Sequence, residues 1–69
     1  MPITLADKGR QYIVQRICGR DEVRRHLANL GVVVGGLITV VAESPAGLII
    51  NSQGTRLALD MAMARRIMI

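Results

Sequence analysis

Cys18, Glu22 and His26 are the residues of this chain with the most chemical potential, because their spacing could bring them together. Glu22 and His26 stand at i and i+4, on one face of any helix that spans them, and Cys18 lies one turn of chain earlier. Thiolate, carboxylate and imidazole are all donors for a transition metal. The set is thin, however, since transition-metal sites usually draw on more ligands than one of each. A plainer reading is stronger: His26 on the rim of a helix, Glu22 in solvent near its start, and Cys18 packed as a small hydrophobe at a strand end. We therefore expect no metal site at Cys18, Glu22 and His26. Nucleophilic catalysis is weaker still, because a reactive thiol needs a lowered pKa, a base oriented by a third group and a substrate pocket. No Gly-x-x-x-x-Gly-Lys phosphate loop occurs. The expectation is a protein that is not an enzyme, with no catalytic and no cofactor-binding residues.

The charged residues offer recognition instead. Nine basic residues against five acidic ones give a formal charge of +4, and every basic residue except Lys8 is an arginine. The arginines are spread along the chain with no run longer than the pairs Arg24-Arg25 and Arg65-Arg66, so they form no basic tail. Positive charge favours acidic proteins, nucleic acid or an anionic membrane surface without choosing among them. Base stacking needs aromatic platforms, and Tyr12 is the only aromatic residue, so nucleic acid is the less favoured partner and a Pro-rich peptide groove is excluded. The expected contact surface is an arginine-bearing helix face, Arg20, Arg24 and Arg25, or the pair Arg65 and Arg66.

These side chains must be held by a chain of 69 residues, enough for one domain. A domain of this size buries only about 60% of the surface its unfolded chain exposes, so it needs a staple, an unusually apolar core or a partner. With one cysteine there is no intramolecular disulfide, which fits a reducing compartment. The apolar content is high, with 51% hydrophobic residues and a mean hydropathy of +0.37. Some of that surface is expected against another protein. The longest uncharged stretch, Leu27 to Ala42, is too short and too rich in glycine to span a bilayer. No secretory signal is recognisable at the start, so a cytoplasmic location is expected.

Period-two and period-3.6 patterns place the elements. Tyr12 to Ile17 reads as a strand with Ile13 and Ile17 on one face and Val14 and Arg16 on the other. Val23, Leu27 and Leu30 form one apolar stripe of a short helix, with Arg20 or Asp21 at its start and Gly31 as its left-handed stop. After a turn at Gly35-Gly36, strands are predicted over Leu37 to Ala42 and Leu48 to Asn51, separated by Ser44 to Gly47. The turn Ser52-Gln53-Gly54-Thr55 returns the chain through Arg56 to Leu59. Asp60 caps a helical turn over Met61 to Ala64, and Ile67 to Ile69 closes the fold. The expectation is a mainly β fold, a small barrel of about five strands. One short helix follows the first strand, and a helical turn precedes the last.

The ordered series of residues resembles the FeoA family, whose members are small proteins associated with bacterial ferrous iron uptake. The resemblance runs from Leu5 and Gly9 through Ile17 and Gly19 to Arg25-x-Leu27-x-x-Leu30-Gly31. It continues with Gly35, Ile38, Val40, Pro45 and Gly54, and closes with Leu57-x-Leu59, Ala64, Ile67 and Ile69. Its most specific part is Leu-x-x-Leu-Gly-x-x-x-Gly, Leu27 to Gly35, followed by an Ile-x-Val strand. It implies an SH3-like barrel over residues 1–69, an absence of catalytic residues, and binding to the cytoplasmic side of FeoB, a membrane GTPase and ferrous iron transporter. Self-association into a homo-oligomer is a further expectation, because barrel edges pair readily. Cys18 stands where relatives carry a small or apolar residue. If His26 is a surface residue and no ligand, His26→Ala leaves ferrous iron uptake by cells near normal; a severe loss with the fold intact would show the opposite.

Overall fold

The run from Tyr12 to Ile17, expected as one strand, is broken in the middle. In the computed structural model, which describes residues 1–69, β1 covers Gln11–Ile13 and β2 covers Arg16–Ile17. Between them the Val14 amide donates to the Gly36 carbonyl (2.9 Å) and the Gln15 amide to the Met68 carbonyl (2.8 Å). The backbone thereby passes from one sheet into another. That switch resets the alternation of faces. Val14 and Ile17 are both buried, whereas Ile13, expected to share the face of Ile17, is 52% exposed. The chain consequently has six strands rather than five.

The larger sheet is antiparallel throughout, in the order β1-β3-β4-β5, with β3 at Leu37–Ser44, β4 at Gly47–Ser52 and β5 at Thr55–Asp60. The smaller pairs β2 with β6, Ile67–Met68. The β4–β5 hairpin turns on Gln53 and Gly54, both at positive φ (52° and 81°), the type I′ geometry whose twist matches its strands. The register of β3 on β4 shifts between Val40 and Ala42, so Val41 is a bulge residue and reaches solvent. A bulge bends its strand and increases its twist, which helps the sheet curl over the core. Gly47, opposite Asp60, takes a φ of 156° where a Cβ would lie 2.9 Å from the Asp60 Cα.

Two helices cover the open sides. Helix α1, Asp21–Asn29, buries Leu27 completely and Val23 in part. It ends in a Schellman motif: the Gly31 amide bonds the Ala28 carbonyl (2.9 Å) and the Val32 amide the Leu27 carbonyl (2.8 Å), with Gly31 at φ 93°. The motif carries Leu30 outward and Val32 inward, so the third residue of the core stripe is Val32; Leu30 is exposed. Helix α2, Met61–Ala64, is capped by the Asp60 carboxylate, which accepts from the Met63 amide at 2.8 Å. Its C-terminal end at Arg65 leads directly into β6.

Twelve buried apolar residues from these elements and the segments joining them form one cluster, among them Ile3 from a short 3-10 turn (Ile3–Leu5), Ile38 and Val40 from β3, Ile50 from β4 and Ile67 from β6. The one buried polar side chain is Ser52, whose hydroxyl donates to the Gly31 carbonyl at 2.9 Å and ties the β4–β5 hairpin to the end of α1. Leu27 contacts this cluster from a helix whose other face is in water, and the site has little room to collapse. Leu27→Ala is expected to cost about 2–5 kcal/mol, most of the stability of a domain this small. Chemical denaturation followed by far-UV circular dichroism measures it.

Candidate partner-binding face

The five arginines singled out from the sequence are all exposed. Two of them are brought together by backbone pairing. The Cys18 amide donates to the Arg66 carbonyl (2.7 Å), extending the β2–β6 ladder by one residue past Ile17 and Ile67. Arg66 therefore lies opposite the entry to α1, and its side chain crosses Gly19: a Cβ there would stand 2.8 Å from Arg66 Nη1 and 3.5 Å from Arg66 Cδ. Gly19 also has a φ of 127°, which side chains rarely adopt, so both backbone and space favour glycine. Arg66 and Arg20 thus approach from separate elements at the same corner.

Arg20 occupies the N-cap of α1 with extended backbone (φ −72°, ψ 161°) and makes no side-chain cap bond. Ser, Thr, Asp or Asn would satisfy an orphan amide there. Arginine also places positive charge at the positive end of the helix dipole, against the local preference. Asp21 and Glu22 in the first turn offset this in part, and Asp21 bonds Arg24 at 2.7 Å in an exposed pair. That pair is the chain's only salt bridge, so Arg24 is partly neutralised while Arg20, Arg25, Arg65 and Arg66 carry uncompensated charge. Arg20 thus departs from the local capping preference while its side chain is exposed.

The other sequence candidates do not assemble. Glu22 and His26 are exposed on α1, Cys18 is half-buried, and no three His, Cys, Asp or Glu side chains come together in a way that could hold a metal. Tyr12 is no free stacking platform: its ring lies under the Arg10 guanidinium, 5.4 Å from the centroid, and its hydroxyl accepts from the Asp7 amide. No helix is long and apolar enough to cross a membrane.

What the sequence did not locate is an exposed apolar patch. Ile13 and Leu37 face each other across β1 and β3 and are 52% and 45% exposed. Val33, Val34 and Leu30 are exposed on the adjoining loop and helix end. That loop is pinned against β1 by the Gly35 amide on the Val14 carbonyl (2.8 Å). Only the excess of apolar residues over interior volume pointed to such a surface.

Two short sheets folded over one filled core, with an arginine-bearing helix packed against them, define a small SH3-like domain. The comparisons with known proteins agree with that class. A family model described as the FeoA domain matches residues 1–69, and the chain belongs to the FeoA family. A protein of Methanocaldococcus jannaschii provisionally named Fe(2+) transport protein A is 25% identical over 68 residues, which cover 99% of this chain and 83% of that one. A crystal structure of an iron uptake regulatory protein, FeoA, matches 97% of this chain and 91% of its own, with a TM-score of 0.88 and 31% identity. FeoA of Stenotrophomonas maltophilia was solved with zinc and described as a procaryotic SH3 domain protein and candidate activating factor of ferrous iron transport. It matches 99% of this chain and 87% of its own, with a TM-score of 0.81 and 26% identity.

Restoring a conventional cap tests the reading of Arg20. Arg20→Ser is expected to stabilise the domain by about 0.5–2 kcal/mol, seen as a higher thermal midpoint. A loss of stability would mean that Arg20 serves the fold itself.

Proposed function

We propose that this chain is a non-catalytic accessory protein of ferrous iron transport, which acts by docking on the cytoplasmic part of a FeoB-type membrane transporter. The family match over residues 1–69 carries this reading. The surface supports it: uncompensated arginines at the α1 entry and the end of α2 suit an acidic partner, and the apolar patch around Ile13 and Leu37 suits a protein rather than a small ion. Arg20, Arg24, Arg25, Arg65 and Arg66 are the proposed contacts, with Arg20 and Arg66 at the centre because the Arg66 side chain crosses Gly19, the residue that precedes Arg20. GTP hydrolysis and iron passage then belong to the transporter, and this domain changes their rate by binding.

Rim charges of this kind act mainly on association rate and are screened by salt. Arg66→Glu combined with Arg20→Asp is expected to weaken binding to the transporter's purified cytoplasmic GTPase domain by about tenfold or more, mostly through slower association. Surface plasmon resonance at low and high salt measures it, with nucleotide hydrolysis recorded in parallel. Unchanged affinity and hydrolysis on adding the native chain would overturn the proposed role.

A further inference from the structure

Strand β5 ends the larger sheet and pairs only with β4. None of the backbone hydrogen bonds made outside the regular elements involves Thr55–Asp60, so apart from the Asp60 carbonyl, which begins α2, its outer edge is unpaired. The type I′ turn sets which groups that edge shows. Ser52 and Thr55 flank a two-residue loop and form a hydrogen-bonded pair, so Thr55, Leu57 and Leu59 point their backbone groups at β4. The amides of Arg56, Ala58 and Asp60 then face outward. β5 contains no lysine, proline or bulge to blunt this edge, and its two charged residues, Arg56 and Asp60, are of opposite sign.

We infer that this edge pairs with the same edge of a second copy, antiparallel and centred on Ala58. That register is self-complementary. Ala58 meets its own counterpart on the two-fold axis and exchanges both backbone bonds with it. Arg56 falls opposite Asp60 of the other copy, twice, and the Asp60 amide donates to the Arg56 carbonyl. As the N-cap residue, Asp60 turns its carbonyl into α2, and its carboxylate caps the Met63 amide. Arg56, Ala58 and Asp60 are all exposed on the outer face of the sheet, so the opposed charges share one side of the joined strands. A shallow groove of about 190 Å³ runs beside Asp60, floored by Ile49, Ala58 and Leu59, where the aliphatic stem of the incoming Arg56 can lie. On the inner side Leu57, half-buried in one copy, comes opposite Leu59 of the other, extending the core across the joint. An isologous contact of this kind closes on itself and yields a dimer, not a filament. The inference goes beyond the proposed transporter contact and uses none of its residues.

Sedimentation equilibrium of the purified chain tests it, from micromolar to millimolar concentration. The weight-average mass is expected to rise from 7.5 kDa toward twice that value, and to rise less at high salt. Ala58→Pro removes an outward amide while leaving the β4 ladder intact, and should hold the chain at the monomer mass with its amide spectrum otherwise native. Arg56→Glu places like charges opposite Asp60 and should raise the dissociation constant about tenfold or more. If Ala58→Pro fails to fold, Arg56→Glu decides. A native chain that stays monomeric at millimolar concentration, either folded variant associating as the native chain does, or edge amides protected only when the transporter domain is added would each overturn the inference.

Discussion

One pair of backbone hydrogen bonds holds the architecture together. At Val14 and Gln15 the amides of successive residues point to different sheets, one to Gly36 beside β3 and the other to Met68 in β6. A continuous strand would have laid Ile13 and Ile17 on one face of a single sheet, with no amide turned toward β6. The break lets a segment of seven residues, Gln11 to Ile17, border both sheets, so the two close over a common set of aliphatic side chains. In a chain with so little volume and no disulfide, that closure supplies the burial on which stability rests. It also explains why Val14 is among the most buried residues although it belongs to neither strand.

The same closure builds the candidate binding corner. Pairing of β2 with β6 continues through Cys18 and Arg66, and this registers the end of α2 against the start of α1 to within a side chain's reach. The Arg66 side chain is thereby laid across Gly19, the residue before Arg20, with no ion pair needed to place it. Uncompensated positive charge placed there favours the approach of acidic groups. The unfavourable N-cap at Arg20 points the same way, since a fold under no demand but its own stability would carry serine or aspartate there.

The elements with strong local signals were legible from the residues. Gly31 as a helix stop, Asp60 as a cap and Gln53-Gly54 as a hairpin turn each rest on chemistry confined to a few positions, and all three appear in the structure. The sheet switch was not legible, because Tyr-Ile-Val-Gln-Arg-Ile carries no glycine or proline and its cause lies in partners far along the chain, Gly36 and Met68. Leu30 was misplaced for a related reason. A helical period extended one step too far ignores the reversal that follows a Schellman motif, which sends Val32 inward in its stead. Ser52 read as a turn residue, yet its burial is set by the Gly31 carbonyl, a partner 21 positions away. Exposure of the individual arginines was legible; their convergence was tertiary.

The arginine corner and the β5 edge belong to different parts of the topology, and this bears on how a weak module could act. Strand β5 closes one side of the larger sheet and β1 the other; the arginine corner lies where the end of β2, the continuation of β1, meets Arg66 beyond α2. Pairing through β5 therefore leaves Arg20 and Arg66 free in each copy. A two-fold dimer presents two such corners, and against a partner that is itself multimeric or confined to a membrane surface the second contact becomes intramolecular. Contacts too weak to hold singly can then give a long-lived complex that still dissolves when salt or dilution breaks either one. For a domain with a filled interior, affinity is available only from the exterior, and duplicating that exterior about an axis is the economical way to strengthen it.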